Sequence, residues 1–192
     1  MTKKLHWLMI CLISALAVAG LAACARDQGV EAARDGAPPS VTPAEQDFMM
    51  KAEQADLAEI EMARVALQKS DNNDVRDYAN MIEKDHNGAL KDLAALMQKK
   101  NVPQVKALDG AAKQQMNELD KLLGPEFDRE FMNAMVSDHE KAVEMFQVQL
   151  TTVQNPDVKV YVEDLIPKLQ MHLDKGHQLQ SRLFGAPAKP KS

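Results

Sequence analysis

Four stretches of nearly thirty residues each carry apolar side chains at alternating spacings of four and three, and this pattern restricts the fold more than any other feature of the chain. The first reads Phe48, Ala52, Ala55, Glu59, Met62, Ala66. The second reads Val75, Ala79, Ile82, His86, Ala89, Leu93, Leu96. The third reads Met132, Met135, His139, Ala142, Phe146, Leu150, and the fourth Val158, Val162, Leu165, Leu169, His172, Gly176, Leu179. That spacing puts one stripe on one face of a helix, and four such faces can bury one another. Helix signals bound the stretches. Thr42-Pro43 is an N-cap with proline at the first helical position, giving a helix over 43–69. Asp71 or Asn72 caps a second over 73–100, which Asn101 and Pro103 end. A short helix over 109–122 sits in the connection. Gly124-Pro125 opens a helix over 125–153, and Asn155-Pro156 one over 156–184, in which Pro167 is expected to make a kink. The expected fold is all-α: a four-helix up-and-down, ferritin-like bundle about 40 Å tall, with the extra short helix between its second and third long helices.

The segment before the first stripe belongs to no fold. Lys3 and Lys4 precede an apolar run from Leu8 to Ala19, and Leu21-Ala22-Ala23-Cys24 follows. This order resembles the lipobox of bacterial lipoproteins, so residues 1–23 are expected to be a signal peptide and Cys24 the lipidated residue. Several acyl chains on one residue make a stable anchor, at about 0.8 kcal/mol per buried methylene. By resemblance to enteric-type lipoprotein sorting, Ala rather than Asp after the cysteine suggests the outer membrane, facing the periplasm. Residues 24–42 are small, polar and Pro/Gly-containing, a flexible tether ahead of a bundle domain over 43–184; 185–192 is a Pro/Lys tail. Cys11 leaves with the leader, so the domain has no cysteine, which excludes disulfides, thiolate catalysis and cysteine-held zinc or iron–sulfur clusters. Cleavage removes two of the 23 basic residues and none of the 28 acids, moving the net charge from −5 to −7. That balance argues against nucleic acid as a partner. No phosphate-binding glycine loop, nucleophile elbow or HExxH pattern is present.

Each stripe is broken once, by Glu59, His86, His139 and His172. His86 and His139 each lie about fourteen residues into their helices, His172 about sixteen, and Glu59 roughly ten before the end of its helix. All four therefore reach one level of the bundle interior. Three imidazoles and a carboxylate at one level are a ligand set for zinc, copper, iron or manganese. They also suit a metal-free polar layer that fixes helix register. Glu83, Met62 and Met135 are further candidate ligands. Met81, Met132 and Met171 also lie within about two turns of the level, where thioethers suit copper, although methionine fills cores of aromatic-poor chains equally well. Glu83-x-x-His86 matches half of a di-iron motif, but Val136 and Leu169 stand where further carboxylates are needed, so ferroxidase chemistry is not expected. Asp85 and Asp138 are expected at helix–helix edges, paired with lysines.

Tyr78, Asn80, Asp85, His86 and Ala89 align with Phe131, Asn133, Asp138, His139 and Ala142 at a constant offset of 53, through internal duplication or coincidence. These segments, with EIEMARVAL, GPEFDREFMNAMVSDHEKAVEMF and LIPKLQMH, resemble the signature segments of the bacterial domain-of-unknown-function family 4142 over about residues 45–182. The resemblance implies a ferritin-like bundle and an exported or lipid-anchored location, and no known activity. The sequence thus reads as an envelope protein held to a membrane by its lipid, with a mid-bundle Glu/His metal site. The alternative is a structural or interaction module whose exterior binds an envelope protein or the cell wall, its Glu/His layer serving only to pack helices. No activated nucleophile or full acid–base set marks an enzyme.

Overall fold

The computed structural model describes residues 40–185, so the expected leader, Cys24, most of the tether and the tail beyond Gly185 lie outside the described residues. Among the described residues there are five α-helices and no strand: α1 (Pro43–Lys69), α2 (Asn73–Lys99), α3 (Gly110–Asp120), α4 (Gly124–Thr152) and α5 (Pro156–Phe184). None of them is long and apolar enough to cross a membrane. The starts are set by side chains that satisfy free backbone N–H groups. Thr42 and Glu45 form a capping box on α1, Asn72 accepts from Asp74 N–H, Asp109 caps α3, and Asn155 accepts from Asp157 and Val158. Helix α5 runs on through Pro167.

The four long helices form a helical bundle in which α1 packs on α2 and α4, and α5 packs on α4 and α2. Contacts at the ends fix the directions. Glu45 at the start of α1 meets residues 154 and 155 at the end of α4. Lys100 at the end of α2 pairs with Asp157 at the start of α5, and Arg182 near the end of α5 pairs with Asp74 at the start of α2. Every neighbouring pair is therefore antiparallel, and α2 and α4 run the same way. The connection over 100–123, which carries α3, is what lets the chain return to the starting end.

The core divides into two apolar clusters. One holds Phe48, Leu93, Met97, Phe146, Val158 and Leu169. The other holds Met62, Val75, Ile82, Phe127, Phe131 and Met135. Glu59, His86, His139 and His172 fall between the two along their helices and are all buried. Val41 is buried in the first cluster, so the core takes in a residue of the stretch read as tether. Ala55, Leu96, Leu150 and Leu179, counted in the stripes, are only half-buried. Helix α1 has a second buried stripe, Met49, Glu53, Asp56, Ile60 and Ala63, because it faces two neighbours rather than one.

Two buried joints generate predictions. Glu45 is 1% exposed, and its carboxylate accepts from the backbone N–H groups of Thr42 (2.7 Å), Gln154 (2.8 Å) and Asn155 (2.7 Å). Burial pushes its pKa up, but the backbone donors outweigh this and hold it below the ordinary 4.5. A depressed folded pKa adds stability that is complete above the unfolded pKa and disappears as pH falls through the folded value. Glu45→Ala should cost about 3 kcal/mol in urea unfolding at pH 7, since it strands buried donors. Its deficit should shrink as the pH drops below about 4. At Gly176, an added Cβ would lie 2.8 Å from Val136 Cγ2 and 3.2 Å from the Tyr78 hydroxyl. The Tyr78 hydroxyl is itself committed to the His172 carbonyl at 3.1 Å. Gly176→Ala should therefore destabilise by about 1–3 kcal/mol despite its better helix propensity. Adding Val136→Ala should recover part of that loss in the same unfolding assay.

Candidate metal centre

Three helices each deliver one imidazole to the space between the apolar clusters. The ring centroids of His86 and His139 are 5.4 Å apart, those of His86 and His172 5.3 Å, and those of His139 and His172 5.2 Å. The three rings thus form a nearly equilateral triangle. One ring nitrogen from each lies within 4.8 Å of the other two, and no other group of three or more His, Cys, Asp or Glu among the described residues is so placed. Glu59 of α1 joins from the fourth side, with Oε2 3.0 Å from His86 Nε2 and 3.5 Å from His139 Nε2.

What holds each ring decides which nitrogen faces inward. His86 Nδ1 donates to Asp56 Oδ1 at 2.8 Å. His139 Nδ1 donates to the Met135 carbonyl one turn earlier, at 2.9 Å. His172 Nε2 donates to Asp85 Oδ2 at 3.0 Å. These partners accept, so each outer nitrogen carries a proton. His86 Nε2, His139 Nε2 and His172 Nδ1 remain, turned toward one another and toward Glu59. An acceptor behind each imidazole is the arrangement that orients histidine as a metal ligand and raises its basicity.

The interior of this cluster is not self-sufficient. His139 Nε2 and His172 Nδ1 are 3.2 Å apart, and with both outer nitrogens protonated two lone pairs face each other. A cation between them, proton or metal ion, relieves that repulsion. Glu59 Oε2 and His86 Nε2 are close, yet their angle is too poor for a hydrogen bond, and both are left without one, as is Asp56 Oδ2. Buried polar atoms without partners are rare because each forfeits its hydration for nothing.

Charge gives the same picture. Burial pushes His86 toward neutrality, but Glu59 and Asp56 outweigh it and raise its pKa to about 10. Glu59 is likewise pushed up by burial and then pulled to about 2 by His86, His139 and His172. Burial raises Asp56, against the pull of His86. His172 falls to about 4, through burial first and then the charges of His86 and His139, with Asp85 opposing. A proton on His86 is thus favoured beside Glu59, and a proton on His172 is disfavoured. Three imidazole nitrogens with a carboxylate oxygen beside them are donors of the kind that hold a divalent transition-metal ion.

Of the residues singled out in the sequence, the structure brings together Glu59, His86, His139 and His172. Glu83 stays apart, its carboxylate 2.9 Å from Arg64 Nε on a more exposed face. Met62 and Met135 are buried in the second apolar cluster, and Met135 touches the site through its carbonyl. Asp138 pairs with Lys141 at 2.9 Å, as an edge residue should. Asp85 departs from the same expectation: it reaches across to α5 and holds His172. Asp56 escaped the sequence reading altogether. Its signal was the second α1 stripe, on which it lies one turn before Glu59.

Solved structures share this fold. A DUF305 fragment from Deinococcus radiodurans matches with a TM-score of 0.68 at 18% identity, over 75% of this chain and 99% of that one. A DUF305 protein from Streptomyces coelicolor matches with 0.66 at 13%, over 78% and 98%. CopM in its Cu(I)-bound form matches with 0.63 at 24%, over 73% and 98%, and has also been solved with Cu(II) and with Ag. No functionally curated protein is detectably similar in sequence. The family model for a domain of unknown function, DUF4142, matches residues 30–179, and the protein belongs to that family.

Proposed function

We propose that this is a lipid-anchored envelope protein whose bundle binds one transition-metal ion between His86, His139 and His172, with Glu59 as a carboxylate ligand. The observation that carries the reading is the inward convergence of three imidazole nitrogens whose outer nitrogens are all held by acceptors. Imidazole with carboxylate suits copper, zinc, iron and manganese. Copper is the first probe because CopM, which shares the fold, takes copper and silver. On this reading the arrangement is ferritin-like, since a long connection joins two parallel helices. Its donor set is not that of a di-iron bundle, because Glu83 is engaged by Arg64. A membrane-anchored position follows from the Leu-Ala-Ala-Cys24 signal. A second reading, a metal-free layer that fixes helix register, is favoured by the His86 imidazolium set between Asp56 and Glu59.

Titrating the untagged protein with Cu(II) separates the two. A bound metal should raise the melting temperature, because a ligand of the native state stabilises it by mass action. His139→Ala should abolish that rise while keeping the helical circular dichroism. If the melting temperature of the native sequence does not respond to copper, zinc, iron or manganese, the register layer is the better account. The pH dependence has a definite sign. His86 must give up its proton to ligate, and its folded pKa is near 10. At pH 7 binding should then release about one proton, and affinity should rise by up to about tenfold per pH unit. Calorimetry in buffers of different ionisation enthalpy measures that proton.

Anchoring has its own test. Cys24→Ser should move the protein from the membrane fraction to the soluble periplasmic fraction, or leave it unprocessed. Undiminished partition into membranes would remove the lipid from the account.

A further inference from the structure

The metal ligands are closed off from solvent: His139 is 0%, Glu59 2%, His172 2% and His86 4% exposed. An ion needs a way in. A cavity of about 410 Å³ opens between α1 and α4 beneath α3. Small side chains make the room: Ala55 and Ala58 on α1, Ala111 and Ala112 on α3, and Ala142 on α4. Leucines at these positions would close it. The sixth residue of note is Glu59, buried, with Oε2 lacking a hydrogen-bond partner. Glu59 therefore belongs both to the cavity wall and to the triad, at 3.0 Å from His86 Nε2 and 3.5 Å from His139 Nε2.

We infer that this alanine-lined cavity is the portal through which the cation reaches the triad, with α3 as its cover and Glu59 as the ligand that first receives the ion. The inference rests on the metal-binding reading above. The cover is built to be light where it lies over the cavity and firm where it is hinged. Leu119 is buried in the second apolar cluster, with Met116 and Leu122 packed against it, so the C-terminal end of α3 is held. Its N-terminal end lines the cavity with Asp109, Ala111 and Ala112, the Gln54 amide of α1 reaches the backbone of Ala107 and Asp109, and Gln115 Nε2 ties the helix to Asp138 Oδ2 at 3.0 Å. Elements with few apolar contacts open at a fraction of the free energy of global unfolding. Asp138 also pairs with Lys141, and Lys51 with Asp47 one turn from the cavity, so the mouth is not a strong electrostatic funnel. Size and the motion of α3 set the rate. The rival route is the wall beside Asp85, whose side chain is 30% exposed and contacts His172.

A portal affects rates and leaves the end states alone, which makes it separable from the site. Stopped-flow mixing of the untagged protein with Cu(II) gives the loading rate, excess EDTA gives the unloading rate, and calorimetry gives the affinity. Ala55→Leu and Ala112→Leu fill the cavity from opposite sides, and each should slow loading and unloading by about tenfold with affinity unchanged, since only the barrier rises. Gln115→Ala frees the cover and should speed both. Ala95→Leu, on an exposed face of α2, should change neither. Circular dichroism and melting temperature verify that each variant is folded. Native rates in the two filled variants, or no acceleration in Gln115→Ala, overturn the portal while the metal site stands. Absence of copper binding in the native sequence overturns the site and the portal together.

Discussion

The rest of the structure is arranged around one costly interaction: the His86 ring held between the carboxyl groups of Asp56 and Glu59 inside an apolar bundle. Ions taken out of water cost several kcal/mol each, and removing one partner of such a pair typically costs about 3–5 kcal/mol. The layer therefore has to be completed by its surroundings. Apolar side chains pack on either side of it, and Asp85, the Met135 carbonyl and Asp56 fix the rings from outside. The helices cannot slide past one another without breaking this set, so the layer fixes register whether or not an ion occupies it.

Chain direction makes the layer possible. A helix delivers its side chain at a height set by distance from its start, at about 1.5 Å per residue. Because α2 and α4 run the same way, His86 and His139 arrive at the same height by being similarly far from Asn73 and Gly124. Helices α1 and α5 run the other way, and Glu59 and His172 reach that height from the opposite end. The long connection that allows the parallel pair also carries α3 and so places a cover over one face of the site.

Much of this was legible in the sequence because helix periodicity and capping are local. The first and last long helices begin where Thr42-Pro43 and Asn155-Pro156 say they should, and the single polar break in each stripe marks the residues that converge. Tertiary geometry was not legible. A one-stripe reading assumes that a helix faces a single direction, so α1, wedged between α2 and α4, kept Asp56 and Glu53 from view. Asp85 was misplaced for a related reason. Adjacent residues on a helix point about 100° apart, which excludes a shared partner but not a shared site. Asp85 reaches the cluster through α5, by way of His172. Glu83 went the other way: its spacing from His86 suggested a ligand, and Arg64 of α1 takes it.

The decisive distinction between a register layer and a metal site lies in satisfaction rather than burial. A layer needed only for packing is stable when each polar atom finds a partner, since a half-satisfied network is worse than an apolar one. Here that condition is not met. Asp56 Oδ2 lacks a hydrogen bond, Glu59 Oε2 and His86 Nε2 meet at 3.0 Å as an ion pair without hydrogen-bond geometry, and His139 Nε2 and His172 Nδ1 lie 3.2 Å apart. Leucine or methionine at His139 and His172 would fill the same volume without this cost. On the metal-binding reading proposed above, acceptors behind every ring hold the donors in place beforehand, so an arriving ion meets a formed site and little ordering remains to be done.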